Sequence, residues 1–183
     1  MQSQTLRKFK WHWAWNDHKE EAWLREMAQQ GWHLSEIGPH GFYTFAKAEP
    51  ADMVYQLDYL VPGKQDHQEY LQLFQDAGWE HLGEMVGWQY WRKRAEPGQD
   101  PRIYTDPVSK TEKYSRLLGY LAIFVPFYVL FFPNLGIMLE FDGDIRTWVD
   151  VLYALFFITF ITIWGYAFIR LTLRMRQLKQ GDH

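Results

Sequence analysis

Two long apolar runs dominate the C-terminal third of the chain. Residues 117–139 and 151–169 are 23 and 19 residues long and contain no charged side chain. A helix rises about 1.5 Å per residue, so helices of this length cross a hydrocarbon core of about 30 Å. Because neither run has the polar face of a soluble helix, the pattern predicts a two-helix transmembrane hairpin with an external acidic loop at 140–150.

Charged residues around the two runs predict the orientation of the hairpin. Basic side chains precede the first run and fill the tail at 170–183, whereas the loop is mainly acidic. Since Lys and Arg stay on the cytoplasmic side, we expect a cytoplasmic basic tail and both termini inside. Residues 1–10 are polar and basic with no apolar segment behind them, so no signal peptide is expected.

Residues 1–95 show shorter periodicities. Large residues alternate with small or polar ones over 9–15, which predicts a first strand, and a strand follows from the weaker alternation at 53–60. Apolar residues recur at helical spacing in two stretches, at Leu24, Met27 and Ala28 and at Leu71, Phe74 and Ala77. Further strands are predicted at 33–37, 41–48, 80–86 and 88–95. The pattern predicts a cytoplasmic α+β domain, an about six-stranded sheet with two helices on one face.

The two halves of this domain resemble each other. Repeat units at about 8–48 and 53–95 each contain a helix, then a Gly-Trp pair, a strand, a turn and an aromatic strand, which indicates an internal duplication. Gly31 and Gly78 are predicted to end the helices in the left-handed conformation, and Trp32 and Trp79 to cover the helix ends. The pairs Asp17 with Glu20 and Asp66 with Glu69 have capping-box spacing.

A polar segment at 96–116 joins the domain to the first apolar run. It contains several Pro and Gly residues, and Asp106-Pro107 has the pattern of an N-cap followed by Pro at the first helical position. We therefore expect a linker and a juxtamembrane helix continuous with the first span. Such a helix either transmits movement to the membrane or is a passive tether, and the sequence leaves both open.

Composition excludes several classes of function. There is no cysteine, which excludes disulfides, thiol catalysis and a Cys-based zinc site. Residues 1–116 contain 14 Lys and Arg against 17 Asp and Glu, which argues against a nucleic-acid partner. No phosphate-binding Gly-rich loop, nucleophile elbow or dinucleotide fingerprint is present, so no catalytic residue, cofactor or metal is predicted.

Two weaker chemical hypotheses concern histidines and glutamates of the predicted strands. A folded cluster of His33, His40 and His81 with Glu36 or Glu84 would suit zinc, although surface histidines are the simpler interpretation. Glu36 and Glu84 would also form a carboxylate pair of the glycosidase kind if the fold brought them together. Glutamates on strand faces are more often solvated.

Aromatic residues are the most distinctive feature, since eight of the ten tryptophans precede residue 100. In a small domain most of them fill the core, but an exposed aromatic patch marks a partner surface or a pocket for an apolar or cationic ligand. We predict that contact surface among five tryptophans: Trp11, Trp13, Trp15, Trp88 and Trp91.

The run KWHWAWNDHKEEAWLREMAQQGW at 10–32, with its aromatic strand, paired glutamates and Gly-Trp, resembles the opening of a bacterial family of unknown function, domain of unknown function 2812. The second Gly-Trp and the exit segment around 103–114 also fit, so the resemblance covers about residues 8–116. It implies membrane spans after the domain and no established activity. It also implies genes beside transcriptional regulators of the PadR type, and hence a regulatory role.

These observations favour a non-enzymatic, membrane-anchored module of the bacterial inner membrane that binds a protein partner or a small ligand. The alternative is an accessory subunit of a membrane transporter, with the hairpin packed on a permease. A more distant one is an enzyme that acts on a membrane-borne apolar substrate. The lipid bilayer is an expected partner in each case, and a homo-oligomer is left open.

Overall fold

The computed structural model describes residues 4–61, 67–96, 111–123, 125–126 and 143–180. The chain divides into two compact units, Met1–Lys113 and Tyr114–His183. The first unit contains all six described strands and two of the helices. The second unit contains only helices in its described part.

The first half of the N-terminal unit is a strand–helix–strand–strand arrangement. Strand β1 (Thr5–Phe9) leads through a short 3-10 helix (Ala14–Asn16) into helix α1 (Asp17–Gln29). Strands β2 (Trp32–Ile37) and β3 (Phe42–Lys47) follow. The strand β3 is central and antiparallel to both neighbours, which gives the order β1-β3-β2.

The second half has the same arrangement. Strand β4 (Met53–Tyr59) precedes helix α2, whose described part is His67–Asp76, and strands β5 (Glu80–Met85) and β6 (Trp88–Arg94) follow. The antiparallel order is β4-β6-β5. The pairing register shifts between His81 and Gly83 of β5, at the position that corresponds to the shift between Leu34 and Glu36 of β2. This correspondence supports the predicted duplication, which stays a prediction.

The six strands form two three-stranded sheets and not the single six-stranded sheet that the sequence predicted. Each half closes its own sheet, because its last strand pairs on both sides within the same half. The edge strands β2 and β5 contact each other where the two sheets adjoin. The α+β class is therefore confirmed, with a different sheet arrangement.

The two helices cover opposite faces of the second sheet, so their prediction on one face was wrong. Leu24 of α1 belongs to the core cluster that contains Tyr90, whereas Phe74 of α2 packs with Trp91. Successive residues of a strand point to opposite faces, so Tyr90 and Trp91 face different helices. Strand β4 agrees, since Leu57 joins the first cluster and Val54 the second.

Both predicted helix-ending glycines have left-handed backbones, with φ of 79° at Gly31 and 80° at Gly78. Trp32 is half-buried against the main core, with Lys47 Nζ 4.6 Å from its ring centroid. Trp79 is 5% exposed and belongs to the second core cluster. The Gly-Trp pairs thus end their helices as predicted.

Residues 9–15 do not continue the first strand as the alternation predicted. Strand β1 ends at Phe9, which pairs with Phe42, the first residue of β3. The residues immediately before Phe42, Pro39–Gly41, form a short 3-10 helix and not a continuation of β3. Residues 11–15 therefore have no strand to pair with, and they fold into a separate aromatic segment.

In the second unit, residues 114–123 are helical, and a C-terminal helix spans Gly143–Gln180. Residues 143–150 were expected in the external loop and are helical instead, as are residues 170–180 of the predicted tail. No proline interrupts the sequence after Pro133, and charged residues alone do not end a helix. Most of the first predicted span, the rest of the loop and Asp106-Pro107 lie outside the described residues.

Candidate functional site

A cleft of about 190 Å³ opens in the N-terminal unit beside the aromatic segment. Its walls combine indole rings with a small number of polar groups, the composition typical of ligand sites. The lining residues come from the aromatic segment, from α1 and from the second sheet: Trp11, His12, Trp13, Ala14, Asp17, Glu20, Leu57, Met85, Trp88 and Tyr90.

Three of the five tryptophans proposed as a contact surface line this cleft. Trp11 and Trp13 are 54% and 48% exposed, with ring centroids 5.8 Å apart in an edge-on arrangement. Trp88 lies at the start of β6, and its ring packs edge-on against Tyr59. Aromatic pairs prefer this edge-on geometry, so the rings of Trp11, Trp13 and Trp88 are each supported by a neighbouring ring.

The other two tryptophans are core residues, and the proposed surface has to be reduced accordingly. Trp15 is 6% exposed and stacks on Trp13, with ring centroids 5.1 Å apart. Trp91 is fully buried and stacks on Phe74 of α2. On β6 the residue next to a cleft-lining side chain faces the other side of the sheet, so Trp91 cannot share the surface of Trp88 and Tyr90.

Glu20 lies at the base of the cleft and is 5% exposed. Its Oε1 accepts hydrogen bonds from the hydroxyls of Tyr43, at 2.6 Å, and Tyr90, at 2.7 Å. Its Oε2 lies 3.7 Å from His12 Nδ1. Burial raises the pKa of the Glu20 carboxyl, and the two tyrosine hydroxyls oppose part of that rise.

His12 is the second buried polar group of the cleft. Its side chain is 8% exposed, and its Nδ1 has no hydrogen-bond partner within the described part of the chain. Burial, assisted by the charge of Lys10, lowers the pKa of His12 to about 4, so the ring is neutral near pH 7. An orphaned buried nitrogen is costly, so this atom is a candidate contact for a molecule that enters the cleft.

Asp17, on the first turn of α1, is held by Lys113. Lys113 Nζ lies 2.5 Å from Asp17 Oδ2 and 4.0 Å from Glu21 Oε1, and it donates to the carbonyl of Leu57 at 2.9 Å. The amide of Leu57 in turn donates to Glu21 Oε1. Lys113 comes from the segment expected to be a juxtamembrane helix, and nothing in its sequence context indicated a buried role.

The capping-box interpretation was wrong for α1. Asn16 occupies the N-cap position without a side-chain hydrogen bond, and Asp17 and Glu20 both turn inward. In the second half, Glu69 is exposed and Asp66 lies outside the described residues. Two positions that look alike in sequence therefore have different environments.

The other chemical hypotheses find no support in the described residues. His33 contacts the Glu49 carbonyl, and His81 contacts Gln89 Oε1 across the β5–β6 pair. Glu36 and Glu84 are exposed. The side chain of His40 lies outside the described part, and within that part no group of three or more His, Cys, Asp or Glu is arranged to hold a metal ion.

Residues 16–125 match the family described as “Protein of unknown function (DUF2812)”. The chain belongs to the DUF2812 family. The matched region contains α1 with Asp17 and Glu20, both sheets except β1, and Lys113. Comparison with curated proteins and with solved structures found no match. The function of this DUF2812 protein therefore has to be argued from its cleft.

Proposed function

We propose that this DUF2812 protein is a non-enzymatic, regulatory ligand-binding module that is anchored to the bacterial inner membrane. The observation that carries the proposal is the cleft, which brings Trp11, Trp13 and Trp88 together over the buried pair His12 and Glu20. A concave aromatic site with a few convergent polar groups favours a small ligand over a flat protein partner.

The second unit supports the membrane anchor. In the described part of the chain, one helix, Asp150–Gln180, is apolar and long enough to cross a membrane. Large apolar side chains along it are exposed, including Leu152 at 65% and Ile158 at 62%, which is expected of lipid-facing residues. Leu118 and Val125 line an apolar cavity of about 90 Å³ together with Trp164 and Phe168, an arrangement that favours the proposed two-helix hairpin.

The proposed orientation places the ligand-binding unit, both termini and the basic tail in the cytoplasm. It can be tested with single cysteines, because the chain has none of its own. In intact cells a membrane-impermeant maleimide should label Asp150→Cys, and should label Ser35→Cys and Gln180→Cys only after permeabilisation. Labelling of Ser35→Cys in intact cells would contradict the topology.

Ligand binding is tested by purifying the full-length protein from its native host in a mild maltoside detergent. Native mass spectrometry should detect a small bound molecule, and the double variant Trp11→Leu/Trp13→Leu should lose it. Phe9→Leu is the matched control, since Phe9 is 61% exposed and lies outside the cleft. Retention of the molecule by the double variant would contradict the proposed site.

Two other functions remain as alternatives with separate observations. The exposed apolar surface of the C-terminal helix would also suit packing against a permease, so a stoichiometric permease in the same purification would favour a transporter accessory subunit. The neighbouring groups His12 and Glu20, both with displaced pKa values in a cleft, are the feature that an enzyme would use. Turnover of an apolar membrane substrate that Glu20→Gln abolishes would favour that function.

A further inference from the structure

The charge balance at the base of the cleft is incomplete. Asp17 and Glu20 are both buried there, and Asp17 has the ammonium group of Lys113 as its partner. Within the described residues, Glu20 has no lysine or arginine at ion-pair distance, and the charge of Lys10 acts on it only from farther away. Its hydrogen bonds come from two uncharged phenols, and the neighbouring imidazole of His12 is neutral near pH 7.

A buried carboxylate without a cationic partner is unfavourable, because burial removes the water that would solvate its charge. Such a group is neutralised either by a proton or by a cation that enters the site. The same place in the cleft contains a second group without a partner in the described residues. This group is His12 Nδ1, which lies 3.7 Å from Glu20 Oε2. A group that enters there meets one carboxylate oxygen and one imidazole nitrogen.

The walls of the cleft suit an organic cation better than a metal ion. Indole faces attract ammonium groups and exclude water from them, whereas hard metal ions require several oxygen ligands. Trp11, Trp13 and Trp88 supply three indoles above Glu20. The volume of the cleft, about 190 Å³, suits a small molecule.

We propose that the cleft binds a small organic ammonium ion, whose charged nitrogen lies against Glu20 and His12 and whose alkyl groups pack on Trp11, Trp13 and Trp88. This inference rests on the proposed function and names the class of ligand. The electrostatic attraction and the aromatic contacts act on the same group, so replacing the charged nitrogen by carbon should remove most of the affinity.

The first test needs no variant. Choline and its uncharged isostere 3,3-dimethyl-1-butanol have nearly the same shape, and each is titrated into the full-length protein in maltoside micelles by calorimetry. Choline should bind at least about tenfold more tightly than the alcohol. Equal binding of the two would overturn the ammonium inference but leave a ligand-binding cleft. Failure of both to bind would overturn the inference, while the host-purification experiment decides the proposed function separately.

The second test places the charge recognition at Glu20. Glu20→Gln keeps the size of the side chain and removes its charge, and choline affinity should fall about tenfold while binding of the alcohol is unchanged. Glu26→Gln is the matched control, because Glu26 lies on the same helix and is exposed. A similar loss in both variants, or in neither, would overturn the assignment.

Ammonium groups occur both in free amines and in phospholipid headgroups. Choline and monomeric short-chain phosphatidylcholine are therefore compared as competitors of the molecule purified from the host. Stronger competition by the lipid would assign the site to a headgroup, and weaker competition would assign it to a free amine. If neither competes with the molecule purified from the host, the ammonium class is overturned.

Discussion

Lys113 Nζ lies 2.5 Å from Asp17 Oδ2, and both side chains are buried. The contact ties the last residue of the N-terminal unit to the first turn of α1, one helical turn before Glu20. Asp17 also lines the cleft. The segment expected to be a juxtamembrane helix therefore contacts a residue that lines the candidate site.

Replacement of Lys113 by Met should destabilise the protein by about 3 kcal/mol. The change leaves the buried Asp17 carboxylate without its cation, which costs more than the loss of a surface ion pair. The matched control is Lys19→Met, at an exposed position of α1, for which less than about 0.5 kcal/mol is expected. Urea unfolding of the full-length protein in micelles, followed by near-UV circular dichroism, measures both.

A double variant separates the ion pair from general packing. Asp17→Asn combined with Lys113→Met removes both charges, and it should recover at least about half of the stability lost in Lys113→Met. If the double variant is less stable than the wild-type protein by the sum of the two single effects, the two residues do not interact energetically.

The pH dependence of stability should contain two opposing contributions. Burial raises the pKa of Glu21 from 4.5 to about 7, against the opposing charge of Lys113, so its contribution falls as pH rises from 4.5 to 7. The pKa of His12 is lowered from 6.5 to about 4, so its contribution is lost as pH falls from 6.5 to 4. Glu20, whose pKa is also raised, adds to the contribution of Glu21, so His12 should offset only part of the fall in stability between pH 4.5 and 6.5.

Single variants should reveal each contribution. Glu21→Gln lacks the carboxylate and keeps the contribution of His12. Its free energy of unfolding should therefore rise by about 1 to 3 kcal/mol between pH 4.5 and pH 6.5. His12→Asn should show the opposite slope relative to the wild-type protein. Urea unfolding at four pH values measures the slopes, and parallel profiles for the three proteins would refute this account.

Gly31 and Gly78 offer a matched pair for backbone strain. Both have the same left-handed φ, but a Cβ at Gly31 would lie 2.7 Å from the Ala48 carbonyl oxygen, whereas at Gly78 the nearest atom is 3.5 Å away. Gly78→Ala should therefore cost about 1 kcal/mol for its conformation alone. Gly31→Ala should cost more, and equal thermal midpoints for the two variants would exclude a steric effect of the carbonyl.

Choline binding, if the ammonium inference holds, should strengthen as pH rises above 5. The pKa of Glu20 is raised, so a proton competes with the cation at the lower pH. The titratable and charged groups that face Glu20 are His12, Asp17, Lys10, Tyr43 and Tyr90. Calorimetry from pH 5 to 8 should show this trend in the wild-type protein and a flat, weak response in Glu20→Gln.

Periodicity located most secondary structure of the N-terminal unit but not its tertiary arrangement. The predicted strand at 53–60 agrees with β4 within one residue, because its residues alternate along a paired strand. The alternation at 9–15 was more regular than that at 53–60, yet a strand also needs a neighbour, and β3 begins only at Phe42. Which face of a sheet a helix covers depends on long-range packing, which a single sequence does not reveal.

The candidate site was predicted only in part, for a related reason. Trp11, Trp13 and Trp88 were expected at a surface because of their abundance, and they do line one cleft. Glu20 was taken for a capping residue because it follows Asp17 by three residues, as Glu69 follows Asp66. The difference between them is the burial of Glu20 against Tyr43 and Tyr90, from strands far apart in the sequence.

The shared acceptor at Glu20 has a consequence for how this family can change its sequence. Tyr43 belongs to the first sheet and Tyr90 to the second, and both hydroxyls donate to the same oxygen. A side chain at position 20 that accepts no hydrogen bond would leave both buried hydroxyls without an acceptor. Relatives that lose this glutamate should therefore also lack both tyrosine hydroxyls. The three positions should change together, which couples sequence change in one half of the domain to sequence change in the other.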